Sequence, residues 1–497
     1  MIKKFKAFAP GNRGRDLLLL SCMALMGLFS YVTYDIPGAV NIDIELDLGI
    51  KKDDFMLYFY STYAFSSCII AILAGLIIAK TGLANAGLIF SGLLTFAHFL
   101  IACSMYFRIS LLSAVGRIIH GCSAEPLGVV RSSYVGKYFN SSLFYGIILA
   151  VSRAGSVLGF KLAPWVLCLL QPKSPTCVIG IEKSVNGSEP IVANQTDTIA
   201  SNFTKLTGLF DPEEGYPINS SLATCFLIGG AFAACISIFV MTINFFDKKI
   251  EKQLNPDKKD EKKKAKTISV DLITDIPSSA WYLIILFMCF YSAMFPFNSI
   301  LPGFLKSLGY KKEVAGNLAS VVYAFSCIGS PLFGFIIDYT GFHSLWLTFC
   351  SGLLTFSFGT WGYLQKNVYQ DDQETMLVIM YVLMLCLGVA YSIISSSAMK
   401  YMVEVTPIEL HPTCFGLLMG IQQIGIGAIS YFIGWYIEGY GYISDDGNFL
   451  YVFGAVGLIA TVFGLALISN DGINPFKKKE PEEEVSEENE QFVDETS

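Results

Sequence analysis

The sequence predicts an all-α integral membrane protein with twelve transmembrane helices in two six-helix halves. Three observations carry that expectation: a composition suited to lipid, twelve apolar runs of bilayer length, and an internal repeat relating the two sets of six. Of the 497 residues, 53% are hydrophobic and only 15% charged, whereas soluble domains carry about 25% charged residues. The mean hydropathy is +0.53. The net charge of −7 gathers in the last stretch, EPEEEVSEENEQFVDETS (480–497), which has almost nothing apolar to bury and is expected to be a disordered tail.

Several function classes fall away at once. No basic, aromatic-interleaved patch suggests nucleic acid. The 13 Cys fall almost entirely inside apolar runs, with no CxxC pair and no Cys/His spacing suited to zinc; they read as small buried hydrophobes. Cys177, in a hydrophilic loop, is the exception, where an oxidised partner is open. No metal or cofactor is expected.

A span needs about 20 mainly apolar residues. Such runs lie at 16–37, 55–78, 85–107, 110–134, 143–170 and 222–246, then at 279–302, 314–337, 344–364, 375–399, 414–438 and 449–469. The chain divides into an N-terminal tail (1–15), a first half (16–246) with a hydrophilic loop at 171–221, a lysine-rich linker (247–278), a second half (279–469) and an acidic tail (470–497). The start, MIKKFKAFAPGNRGR, is basic but lacks a small-x-small cleavage site. With the lysine-dense DKKIEKQLNPDKKDEKKKAK (247–266), it places the tail and the linker on the cytosolic side. Twelve spans then return the C-terminus to the cytosol. The loop at 171–221 carries four glycosylation acceptors, Asn186, Asn194, Asn202 and Asn219, on the face predicted to be luminal or extracellular. A fifth triplet, at Asn140, lies on the cytosolic side and is expected to stay unmodified.

The repeat is visible as text. LGIKKD (48–53) returns as LGYKKE (308–313), YAFS (63–66) as YAFS (323–326), and GLIIAKTG (75–82) as GFIIDYTG (334–341). Loop, span and following turn all recur, so the repeated unit is a six-helix half. Two such halves related by an axis along the membrane normal put a binding site near the midplane between them.

GFIIDYTG resembles the loop motif G-x-L-x-D-x-x-G of the major facilitator superfamily, and RIIHG (117–121) resembles its R-x-x-x-G. YDIP (34–37), FML (55–57), GRIIHGCSAEPLGVV (116–130), YV (134–135), SRAGS (152–156), SVVY (320–323), SPLFG (330–334) and GLLMGIQ (416–422) are similar to one branch, the lysosomal dipeptide carriers. The resemblance implies the major facilitator fold, facilitated diffusion of di- or tripeptides, a lysosome-like acidic membrane with the plasma membrane as alternative, and an accessory glycoprotein partner. With four acceptors in one loop, this chain can shield that loop itself. The resemblance also gives Asp338 the family's role of capping a neighbouring helix and holding one gating conformation; the first copy has Ala79 there, which puts an equivalent latch in doubt.

Charges inside spans are costly, about 2.5–3.5 kcal/mol each on insertion scales, and mark function. The fourth run holds Arg117, His120, Glu125 and Arg131; the fifth holds Arg153 and Lys161. Glu125 precedes the turn near Phe139 by as many residues as Arg153 follows it, so a common helical rise sets them at similar depth. The same reckoning sets Arg117 and Lys161 in a second, cationic layer nearer the lumen. Glu125 and Arg153 are either a permanent ion pair that fixes packing or a split pair for a zwitterion, the carboxylate taking a peptide's ammonium and the guanidinium its carboxylate. Both match positions of the branch's motifs. Tyr63, Asn298, Tyr391, Ser395 and Gln422, of the Gln422–Gln423 pair, are candidate cavity residues, with helix packing an equal explanation for each. Asp35 is a candidate cap or gate, Arg117 a gating or capping residue as much as a ligand, and Arg131 is expected to reach lipid headgroups. Lys400 and Glu404 stand where the branch looks uncharged.

The leading function is a carrier of short peptides working by alternating access; carriage of an amino acid, sugar or organic anion, with or without protons, is the alternative. An enzyme would want His, Asp or Ser clustered at one membrane face, but the four His (98, 120, 343, 411) are scattered in sequence. A receptor that lost transport is the third class.

Overall fold

The computed structural model describes residues 12–50, 55, 57–139, 141–172, 218–254, 276–308, 310, 312–367, 373–440 and 448–471. The rest of the predicted plan, namely the N-terminal tail through residue 11, the hydrophilic loop from 173 through 217, the linker at 255–275 and the acidic tail from 472, lies outside the described residues.

The described residues form thirteen α-helices and one π turn. They are α1 (Arg13–Ala39), the short α2 (Asn41–Leu48), a π turn (Leu57–Ser61) running into α3 (Thr62–Thr81), α4 (Leu83–Phe107), α5 (Ser110–Tyr138), α6 (Ser142–Leu170), α7 (Ile218–Leu254), α8 (Ser278–Ser307), α9 (Lys312–Thr340), α10 (His343–Asn367), α11 (Gln373–Val405), α12 (His411–Tyr440) and α13 (Phe449–Asn470). Each of the twelve apolar runs falls on one long helix. Helix α7 continues beyond residue 246 because DKKIEKQL is rich in good helix formers. Helix α2 had no counterpart among the apolar runs, since eight residues with three acids cannot cross a bilayer. Among the described residues, ten helices are long and apolar enough to cross a membrane. Helices α5 and α10 do not qualify; α5 carries Arg117, Glu125, Arg131 and Lys137.

The textual repeat is also a structural one. Ile50 N–H donates to the Glu45 carbonyl at 3.0 Å, and Tyr310 N–H to the Leu305 carbonyl at 3.0 Å. Gly82 and Gly341, at φ of 81° and 71°, each donate to the carbonyl four residues earlier at 2.8 Å. Only glycine takes that backbone without strain.

Helices α1 and α3–α7 pack mainly on one another, and α8–α13 do likewise. Two seams join the groups, α3 against α12 and α6 against α9. In the first, a Cβ on Gly75 would meet the Pro412 carbonyl at 2.7 Å, and one on Gly416 the Ala71 carbonyl at 2.6 Å. In the second, a Cβ on Gly334 would meet the Ser142 carbonyl at 2.6 Å, and one on Gly146 would run into the Ser330 carbonyl. Gly75 and Gly334 correspond under the repeat, as do Ala71 and Ser330, so the seams are copies of each other. Small residues let backbones touch where lipid supplies no hydrophobic force between helices. Both seams lie toward the end that bears the α5–α6 and α9–α10 turns.

Gly146→Leu should therefore overpack a seam, at about 1–3 kcal/mol, and lower the melting temperature of the purified protein. Gly92→Leu, where nothing lies within 4 Å, should leave it near wild type. Equal melting temperatures for the two variants would contradict the seam.

Candidate functional site

Above the glycine contacts, each seam ends in a charged residue of the first group that grips the second. On α5, the Glu125 carboxylate accepts from Tyr63 of α3 at 3.2 Å and from the Gln423 side chain of α12 at 3.1 Å. On α6, Arg153 Nη1 donates to Ser330 Oγ of α9 at 3.0 Å. Its Cζ lies 3.9 Å from the centroid of the Tyr391 ring of α11, a cation–π distance. Arg153 is 4% exposed, yet its Nε and Nη2 have no hydrogen-bond partner. Buried donors without acceptors are costly, and two of this guanidinium's nitrogens are in that position.

Among the described residues Glu125 and Arg153 form no ion pair with each other. The reason is the packing of α1. Helices α5 and α6 are consecutive but scarcely touch, and α1 packs against both. At Gly27, a Cβ would run into both Ser152 of α6 and Arg131 of α5. Tyr31 of α1 lies within electrostatic reach of Glu125, Arg131 and Arg153 together.

The expected cationic layer of Arg117 and Lys161 is absent. Lys161 is exposed, while Arg117 is 0% exposed and turned into its own helical group. Arg117 Nε donates to the Phe59 carbonyl at 2.6 Å and Nη1 to His120 Nδ1 at 3.0 Å. Its Cζ lies 5.3, 5.8 and 5.0 Å from the rings of Tyr34, Tyr60 and Tyr63. The Phe59 carbonyl is available because the π turn breaks the regular helical bonding there. The histidines are not all scattered either: the His98 and His120 rings sit 5.1 Å apart, between α4 and α5. Arg131 does not reach for headgroups. It donates to Ser152 Oγ at 3.3 Å and faces Glu125 electrostatically.

The other sequence candidates divide. Tyr63 joins the site through Glu125. Tyr391 joins it through Arg153. Of the glutamine pair, Gln423 rather than Gln422 reaches Glu125, since Gly416, Gly420 and Gln423 share the seam face of α12 and Gln422 does not. Ser395 returns its hydroxyl to the Tyr391 carbonyl of its own helix at 2.9 Å, which is packing. Asn298 has both amide atoms buried and meets the Tyr323 hydroxyl of α9 through its side chain. Asp35 is buried beside Ser156 of α6. Lys400 and Glu404 bridge each other at 3.1 Å, and Glu404 reaches His343 of α10 at 3.5 Å, so neither is offered to the seam.

Asp338, near the end of α9, accepts from the backbone N–H groups of Ser142 and Leu143 at 2.8 and 3.0 Å and from Ser141 Oγ at 2.5 Å. It caps α6 across the seam, a carboxylate on a helix N-terminus. Asn186, Asn194 and Asn202 lie outside the described residues. Asn219 is not in the loop but in the first turn of α7, its Nδ2 donating to the Tyr106 carbonyl at 2.9 Å. Among the described residues no group of three or more His, Cys, Asp or Glu is placed to hold a metal. Cys168, at the end of α6, is disulfide-bonded.

Ser330 is the residue the sequence reading did not single out, while Gln423 was named only with its neighbour and Arg131 in another role. Helical spacing carried the signal, because Ser330, Gly334 and Asp338 step by four along α9, and Gly416, Gly420 and Gln423 by four and three along α12.

The sequence profile of the Major Facilitator Superfamily matches residues 216–429 and 283–493. Curated relatives include the Lysosomal dipeptide transporter MFSD1 of Homo sapiens, 23% identical over 439 residues covering 87% of this chain and 82% of the relative. That of Danio rerio is 24% identical over 444 residues, covering 87% and 83%. Among solved structures, the proton:xylose symporter XylE aligns with TM-score 0.63 at 11% identity, over 90% of this chain and 95% of that one. FucP in the outward conformation aligns with TM-score 0.63 at 12% identity, over 90% and 98%. These two likenesses speak for the fold.

Two outcomes follow from the geometry. Arg117→Met removes bonds that a buried charge makes to a carbonyl and a ring nitrogen, each worth about 1.5–3 kcal/mol, and should lower the melting temperature more than Lys161→Met does. A glycan on Asn219 would break its bond to Tyr106, so Asn219→Gln should leave the glycosylated mass on a gel unchanged, while removing Asn186, Asn194 and Asn202 together should collapse it. A mass loss from Asn219→Gln alone would contradict that placement.

Proposed function

The chain belongs to the Major Facilitator Superfamily, and from that premise we propose that it is a secondary transporter of di- and tripeptides. Its twelve long helices would all span, as two six-helix halves, with α5 and α10 shielded from lipid by their neighbours. The observation that carries the reading is the Arg153 guanidinium, nearly fully buried with two donors unpartnered, facing the same interface as the Glu125 carboxylate but not paired with it. A peptide is a zwitterion whose charges stand apart. Its carboxylate takes the free fork of Arg153, in the planar geometry that suits guanidinium, and its ammonium takes Glu125. The names of the curated relatives support peptide as the cargo and the lysosome as the membrane.

Transport follows from what each charge touches when empty. Glu125 holds Gln423 and Arg153 holds Ser330, so each is a polar clasp across one seam. A peptide that satisfies both charges substitutes for both clasps at once. The two seams are then free to part, the halves rock, and the site opens at the other end. Asp338 adds a third clasp, on the α6 N-terminus alone. No ion gradient is required by this cycle, so the mode is facilitated diffusion. The lysine-rich linker and the basic start place both termini in the cytosol, with the glycosylated loop luminal. An accessory glycoprotein is a further proposal that rests on the resemblance alone.

A second reading, carriage of an organic anion, is favoured by one observation: Arg131 as well as Arg153 faces this interface, against Glu125 alone. Counterflow in proteoliposomes separates the two. Arg153→Ala should cut dipeptide transport about 10–100-fold, the loss of one or two charge-assisted bonds at 1.4 kcal/mol per decade. N-acetylation of the dipeptide should cost about tenfold by depriving Glu125 of its partner. Normal transport by Arg153→Ala would reject the peptide assignment, and indifference to acetylation would favour the anion. In the same vesicles, Asp338→Asn should shift the resting population toward opening at the seam end, read as faster labelling of a cysteine placed beside Ser141.

A further inference from the structure

Tyr391, on which Arg153 rests, is the centre of a group of rings from three helices of the second half. Tyr291 and Phe295 of α8 and Tyr323 of α9 have centroids 5.7, 6.1 and 6.1 Å from it, all edge-on. Tyr323 is 37% exposed, so the group is not sealed within the bundle. Asn298 follows Phe295 by one turn on α8 and lies beside Tyr323. Both of its amide atoms are buried, their polar neighbour is the Tyr323 hydroxyl, and the transport cycle above makes no use of them. An amide bonded to one hydroxyl at most keeps both donor and acceptor capacity for a ligand group. The local chemistry is therefore apolar ring faces and edges, one amide with capacity to spare, one guanidinium at the edge and, among the described residues, no carboxylate.

We infer that these rings and Asn298 form a side-chain subsite, which receives the residue at the carboxyl end of the peptide and selects an aromatic side chain there. The inference rests on the peptide reading and deepens it. A carboxylate on Arg153 fixes the Cα that bears it one bond away, so the side chain on that same Cα starts beside Tyr391. An aromatic ring completes the edge-to-face set. A tyrosine also brings a hydroxyl, which can both donate to and accept from the Asn298 amide. A lysine or arginine side chain is disfavoured, because Arg153 already holds positive charge against Tyr391 and no carboxylate stands among the rings to offset a second. The residue at the amino end, held near Glu125, does not reach the rings.

The test is competition against labelled Ala-Ala counterflow in proteoliposomes of the full chain, using Ala-Ala, Ala-Phe, Ala-Tyr, Ala-Lys and Phe-Ala. Ala-Phe and Ala-Tyr should inhibit at about tenfold lower concentration than Ala-Ala, as added edge-to-face contacts and ring burial give. Phe-Ala and Ala-Lys should gain no such advantage. Tyr291→Leu should shrink the Ala-Phe to Ala-Ala ratio, and Asn298→Ala should weaken Ala-Tyr relative to Ala-Phe. Equal inhibition by Ala-Phe and Ala-Ala, or an equal gain for Phe-Ala, overturns the subsite and leaves the peptide reading standing. Failure of all five to inhibit overturns both. The wild-type series decides the matter if a variant fails to fold, and thermal stabilisation of the wild-type protein by the same five peptides should follow the same order.

Discussion

Backbone-to-backbone contact at Gly75, Gly146, Gly334 and Gly416 is the constraint on which the remaining structure depends. In lipid, apolar side chains gain nothing by leaving their surroundings for each other, so two helical groups stay together only through close packing and polar contacts. Four positions without a side chain permit that packing along two seams. Everything of chemical interest lies where the seams stop. Glu125 and Arg153 are the first groups beyond the glycines, and each reaches across to the opposite group.

The two charges have different supports. Glu125 is satisfied by a tyrosine and an amide, both neutral donors that a cation can replace. Arg153 is half satisfied and stacked, which leaves its planar fork oriented without being used up. Helix α1 between them prevents the collapse into an ion pair that sequence depth alone would allow. A second buried arginine stays within its own helical group. Arg117 meets a carbonyl, a histidine and three tyrosine rings, with its Nη2 buried and without a hydrogen-bond partner. Neither burial nor an unspent donor therefore separates the two arginines; the partners do, since Arg153 reaches across to the second group and Arg117 turns into the first.

Much of this was legible in the sequence. The long helices follow from apolar runs, and the repeat follows from GLIIAKTG and GFIIDYTG, whose turns share the same positive-φ glycine. Counting along helices, which is one-dimensional, could say only that Glu125 and Arg153 stand equally far from their turn. Their separation could not be counted, because it depends on which helix lies between α5 and α6, and α1 is far away in the chain. Lys161 and Arg117 were set at one level by the same counting, yet one is exposed and the other enclosed, which counting along a helix does not show. The Gln422–Gln423 pair was visible in the sequence, and the glycine spacing of α12 tells which of the two faces the seam. The pairing of His98 with His120 had no local signal, since it is made by the packing of α4 on α5.

The bonded state of Cys168 has a consequence for how the bundle sits in its membrane. Disulfides last in oxidising compartments and are scarce where glutathione and thioredoxin keep thiols reduced. In the proposed orientation the far end of α6 would lie at the oxidising face and the glycine seams, at the near end of α6, at the reducing one. Redox chemistry so supports the proposed orientation without recourse to lysine counts or sugars.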